Sequence, residues 1–210
     1  MAIVWPFAHY AIRLGLQGLN DGAATGSRLF TRNGPVPNMA VFAHMVVGGL
    51  LTLLVSLQLL GSLRARWPRL HHINGYAMFT CAMLAGAGGL AYIALRGTIG
   101  GFWMDLGFAI YGTLMIGAAV QTVRNAQRRR IDRHRRWALR LFVLALGSWA
   151  YRVHYGIWYA LTGGVASNGA FTGAFDLVQN FAFYMPYLLV LEVWFRRPAV
   201  QREMSTQTSL

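Results

Sequence analysis

Five apolar stretches, roughly residues 39–60, 73–95, 102–123, 137–160 and 177–195, alternate with short polar connectors along the chain. Each is about 20 residues long, enough for a helix to cross a hydrocarbon core of about 30 Å. The pattern predicts an all-α, polytopic transmembrane helix bundle with five clear spans over residues 39–196. A segment at 1–38 precedes it and a short polar tail at 197–210, expected to be disordered, follows.

The first 38 residues carry a different pattern. Between Ile3 and Leu19 the chain places His9, Arg13, Gln17 and Asn20 along one helical face, with apolar residues elsewhere. Two readings fit. The helix lies in the membrane interface, or it is a sixth, short span with its polar face turned into the bundle. The interfacial reading is preferred, because the other puts Arg13 deep in lipid. Either way the connector Asp21–Asn38, rich in Gly, Asn and Pro, falls outside.

Composition and charge sharpen the topology. The chain is 56% hydrophobic and carries a net charge of +13, and every basic side chain is arginine. The arginines cluster in alternate connectors: Arg64, Arg66 and Arg69, then Arg124 to Arg136, then Arg196, Arg197 and Arg202. The connectors at Gly97–Gly101 and Leu161–Phe175 are nearly uncharged. This alternation is a positive-inside signature, predicting a cytoplasmic-membrane protein with a cytoplasmic C-terminus and excluding a nucleic-acid reading of the charge. The arginine-rich ends suit anionic lipid headgroups. Cys81 is the only cysteine, so neither an intramolecular disulfide nor a thiolate metal site is available. The N-terminus lacks a signal-peptide pattern, so no cleavage is expected. Small residues such as Gly48, Thr52, Gly86, Gly89, Gly112 and Gly117 suit close helix packing.

Histidines are the candidate chemistry. The expected topology puts His44 and His154 near the outer face, and His71, His72 and His134 at the inner ends of spans two and four. His44, Gly48, Thr52 and Ser56 recur every fourth residue and share one face. Two facing transmembrane histidines suit the axial positions of a haem b, and they suit a metal ion or a quinone equally. The plain alternative is that each histidine only hydrogen-bonds a neighbouring helix. His134 and His154 stand about 30 Å apart and about 160° out of phase on one helix, which argues against two coupled haems there. The inner pair, His71 and His134, is the second candidate layer.

Charged residues inside the spans have expected partners. Arg140 and Glu192 lie about one turn inside the inner boundary and suit an ion pair. Arg152 shares the outer layer with Asp105 and Asp176, and would otherwise balance an anionic cofactor group. Trp103, Trp149, Tyr151, Tyr155, Trp158 and Tyr159 read as interfacial anchors or as walls of a pocket. No nucleotide-binding or hydrolase motif is present.

Residues 40–155 resemble a family of bacterial membrane proteins, the DUF2306 domain. The match is carried by Phe42-Ala-His-Met-Val-Val-Gly-Gly49, Gln58, Arg64-Ala-Arg-Trp-Pro-Arg-Leu-His71, Gly75-Tyr76, His134-Arg-Arg-Trp137, Arg140 and Tyr151-Arg152. His72 stands where an arginine is more usual. The resemblance implies a helical membrane protein with recurrent His and Arg positions and no established activity. The leading expectation is a small redox protein with His44, His154 and Arg152 around a haem or quinone, working with a membrane redox partner. The alternative is a scaffold or accessory subunit whose polar residues are structural. A transporter lacks support, since no broken-helix pair or inverted repeat is evident.

Overall fold

A computed structural model describes residues 4–58 and 65–197. Arg64, Arg202 and the tail from residue 198 lie outside the described residues. The helices are α1 (Trp5–Asn20), α2 (Pro35–Gln58), α3 (Pro68–Arg96), α4 (Gly101–Gln127), α5 (Ile131–Thr162), α6 (Ala174–Ala182) and α7 (Met185–Phe195). Each of α2 to α5 packs on the next, and α2 also meets α5, which closes a four-helix bundle. The α6–α7 segment packs on α4 and α5. Leu51, Val55, Met78, Ala82, Met115 and Leu144 are among the buried residues of the central core.

The helix limits follow from the chain's punctuation. Prolines open α1, α3 and α7 within their first two positions, where the missing N–H costs nothing. At the end of α5, Gly163 takes a left-handed conformation with φ 67° and its N–H bonds Tyr159 O. Among the described residues four segments are long and apolar enough to cross a membrane: α2, α3, α4 and Ala174–Phe195. The fourth expected span, α5, has 32 residues, about 48 Å of helix. It runs the length of the bundle, while its arginines keep its composition below that of a plain apolar span.

Two expectations are corrected. Span five is not continuous, because the helix is interrupted at Phe183–Tyr184. Pro186 cannot donate to the carbonyl four residues back, and its ring would clash there, so the preceding turn opens. The N-terminal helix does not lie across the bundle end. It runs antiparallel beside α2, with Ala8 and Ile12 against Gly49, Gly15 against Phe42 O and Val46, and Gly18 against the Phe42 ring. The buried face is Ala8, Ala11, Gly15 and Gly18, small residues that let the backbones approach. The polar face, His9, Arg13, Gln17 and Asn20, is exposed. It points away from the bundle rather than into it.

The arginine-poor end is closed by connectors. Arg96 donates to the carbonyls of Leu29 and Arg28 at 2.8 and 3.1 Å, and Arg28 donates to Gly169 O at 3.0 Å. The 21–34 segment is thereby tied to α3 and to the 163–173 loop.

Candidate functional site

The half of the bundle toward the arginine-poor end holds His44, His154 and Arg152, and each has its own surroundings. His44 Nδ1 is 2.7 Å from Ala85 O on α3. Its ring fits against Gly89, where a Cβ would lie 3.3 Å from the imidazole. A carbonyl only accepts, so Nδ1 of the neutral ring carries the proton and Nε2 keeps the lone pair. His154 faces the other side of α5. Its Nδ1 lies 3.0–3.2 Å from the Gln179 amide on α6, and its Nε2 is 2.6 Å from Tyr187 OH on α7. The two histidines therefore bind different helices and share no partner. Among the described residues no group of three or more His, Cys, Asp or Glu is placed to hold a metal ion.

Arg152 does not pair with Asp105 or Asp176, which corrects the expected ion pairs. Arg152 Nη1 donates to Ser148 O at 2.9 Å, and its guanidinium lies over the Phe7 ring of α1 at 4.9 Å. Asp105 Oδ1 accepts from Thr98 N at 2.6 Å. Asp176 is fully buried and accepts from Tyr155 OH, Ser167 Oγ, Asn168 N and Gly173 N at 2.7–3.1 Å. Connector amides have no helical partners, so these carboxylates are taken up in capping them. The nearby aromatics serve the same loop: Trp158 stacks on Phe175 at 4.4 Å and donates to Val165 O.

Nearer the arginine-rich end, Arg140 and Glu192 meet in a bidentate pair, with Nε–Oε1 at 2.6 Å and Nη2–Oε2 at 2.9 Å. The Arg140 guanidinium also lies over the rings of Trp137 and Phe195 at 4.6 and 5.1 Å. This joins α5 to α7.

At that same end the bundle opens into a cavity of about 910 Å³ between α2, α3, α4 and α5. Its apolar wall includes Met78, Phe79, Leu141 and Phe142, and its polar lining includes His71, His134, Gln58 and Arg135. His134 Nδ1 is 2.9 Å from Thr122 O on α4, so the neutral ring carries its proton there and Nε2 holds the lone pair. On the facing side a partly buried chain of polar groups runs from His71 to Asn74. Asn74 donates to Leu54 O at 3.1 Å and to Gln58 Oε1 at 2.6 Å, and Gln58 Nε2 approaches His71 Nε2 at 3.4 Å. Of the histidine layers expected from sequence, the inner one lines a shared space, while His44 and His154 have no hydrogen-bond partner in common among the described residues. Asn74 was not singled out, although it lies three residues after His71 and so on the same side of α3.

The family model described as predicted membrane protein (DUF2306) matches residues 41–195. The chain belongs to the DUF2306 family. Comparison with curated proteins and with solved structures gives no match. The DUF2306 match begins at Val41, inside α2, and ends at Phe195, the last residue of α7. The matched region thus runs from within α2 to the end of α7, and α1 lies outside it. The match also takes in α6 and α7, beyond the 40–155 stretch that carried the resemblance.

Asn180 escaped the sequence reading. It is fully buried at the end of α6 beside Gly107, and both its side-chain atoms lack a hydrogen-bond partner. An amide inside an apolar span was the available signal, given its cost in lipid.

Proposed function

We propose that the protein is a small membrane redox protein that binds a haem b in the cavity at its arginine-rich end. One observation carries the reading: two histidines from different helices, His71 on α3 and His134 on α5, line one amphipathic cavity. The volume suits a flat cofactor, falling within the range of about 300–1,000 Å³ usual for ligand sites. Metal-bound histidines typically donate their other ring N–H to a carbonyl or carboxylate, and the His134–Thr122 contact has that form. Arg135 at the lining supplies positive charge suited to propionates. His71 and His134 would hold the group, which would supply one-electron transfer with a redox partner in the same membrane.

In this reading the arginine-rich end and the C-terminus face the cytoplasm of a cell membrane, and the arginines there also contact anionic lipid. His44 and His154 tie helices together and are not ligands. A second occupant of the same cavity, an isoprenoid quinone, is favoured by the Gln58–Asn74 amide pair, which offers polar contacts beside an apolar wall. An absorption spectrum of the detergent-purified protein, oxidised and then dithionite-reduced, separates the two. A haem band in the purified protein is expected. Its absence after expression with ample haem contradicts the haem reading, and extraction of a quinone would support the second.

A further inference from the structure

Arg152 lies ten residues before the end of α5, about 15 Å inside the bundle. His44 lies nine residues inside α2, at similar depth. Arg140, the other arginine well inside α5, has its carboxylate, and Arg152 has none among the described residues. Its hydrogen bond goes to Ser148 O and its guanidinium lies over the Phe7 ring, and Tyr10 follows Phe7 by one turn on the same side of α1. Arg152 and Tyr10 are both exposed, and among the described residues no hydrogen bond engages the Tyr10 hydroxyl. Arg13 follows one turn beyond Tyr10 on α1 and is exposed too. An uncompensated guanidinium at this depth is costly in lipid and usually marks a functional contact.

We propose that Arg152 and Tyr10 form a lateral site, beside α1, for the carboxylate of a single-chain lipophilic acid such as a long-chain fatty acid. The planar guanidinium matches a carboxylate in two parallel hydrogen bonds, and the tyrosine hydroxyl adds a third donor. The apolar chain of the acid lies along the lipid-facing surface, where Phe7 is already in contact with the arginine. The phosphate of a two-chain lipid belongs at headgroup level, so depth favours the carboxylate. The site is separate from the cavity at the arginine-rich end and does not depend on haem.

The test is a fluorescence titration of the full-length protein in detergent with a conjugated polyene fatty acid and with the alcohol of the same chain. The acid is expected to bind about tenfold more tightly than the alcohol, and Arg152→Gln to remove about that factor. Arg152→Lys should retain part of the affinity, and Arg128→Gln, at the basic end, all of it. Equal binding of acid and alcohol to the wild type overturns the proposal, as does wild-type affinity in Arg152→Gln. Displacement of the acid by phosphatidylglycerol at equal concentration also overturns it, by making the site a headgroup site. Should Arg152→Gln fail to fold, the acid–alcohol comparison on wild type and on Tyr10→Phe decides alone.

Discussion

Arg140 on α5 and Glu192 on α7 are joined by two nearly parallel hydrogen bonds, 2.6 and 2.9 Å long, beside the rings of Trp137 and Phe195. Because α7 is short and separated from α6 by the break at Phe183–Tyr184, this pair and the His154–Tyr187 hydrogen bond are its polar anchors to α5. The pair is partly buried within a membrane-spanning segment, and removing one partner strands the other charge there at a cost of about 3 kcal/mol. Arg140→Gln should therefore lower the melting temperature in detergent by roughly 6–12 °C for a chain of this size. The double variant Arg140→Gln/Glu192→Gln should recover part of that loss. A double variant no better than the single one would mean that the pair does not act as a unit.

Gly15 carries the approach of α1 to α2. A Cβ there would lie 2.7 Å from both Phe42 O and a Val46 methyl, and the carbonyl belongs to backbone that cannot swing aside. Gly15→Leu should detach α1, seen as faster hydrogen exchange over residues 5–20 with the rest of the bundle unchanged. Gly48→Leu is the control, since a Cβ at Gly48 meets nothing within 4 Å. Equal exchange in the two variants would contradict the packing described.

Asp176 holds the 163–173 loop through three accepted hydrogen bonds and accepts a fourth from Tyr155 of α5. Asp176→Ala leaves those donors unsatisfied, at about 1–3 kcal/mol each where they are buried. Limited proteolysis should then cut within 163–173 in the variant and spare the wild type. Arg152→Gln should leave this loop protected, because the arginine is not a partner of the carboxylate.

Asn180 presents the opposite case. A buried amide with neither atom paired gains nothing from its polarity, so Asn180→Leu should hold or raise the melting temperature. A drop of several degrees would show that the amide has a partner such as a buried water.

The spans were legible because a bilayer imposes a length and an apolar composition that few other environments demand. The limits of α3, 68–96, exceed the expected 73–95 only where polar residues continue the helix past the membrane. The Arg140–Glu192 juxtaposition could be anticipated because topology turns sequence position into depth. The partners of Asp105 and Asp176 could not, since depth says nothing of the amides that a connector leaves unpaired. Sequence placed His44 and His154 at similar depth but not on which neighbouring helix each would bond. The polar stripe of α1 drew attention to the wrong face; the small residues Ala8, Ala11, Gly15 and Gly18 opposite it decide the packing. The cavity between His71 and His134 arises from how four helices diverge at one end, which no local pattern records. Pro186, by contrast, was there to be read as the cause of the break in the last span.

The reduced-minus-oxidised absorption spectrum of His134→Ala, set beside those of wild type and His154→Ala, tests the cavity assignment most directly. The predicted result is a b-type haem signal in wild type, retained in His154→Ala and lost or shifted to a high-spin form in His134→Ala. An unchanged signal in His134→Ala, or its loss only in His154→Ala, would contradict the assignment of the ligand site to the arginine-rich end.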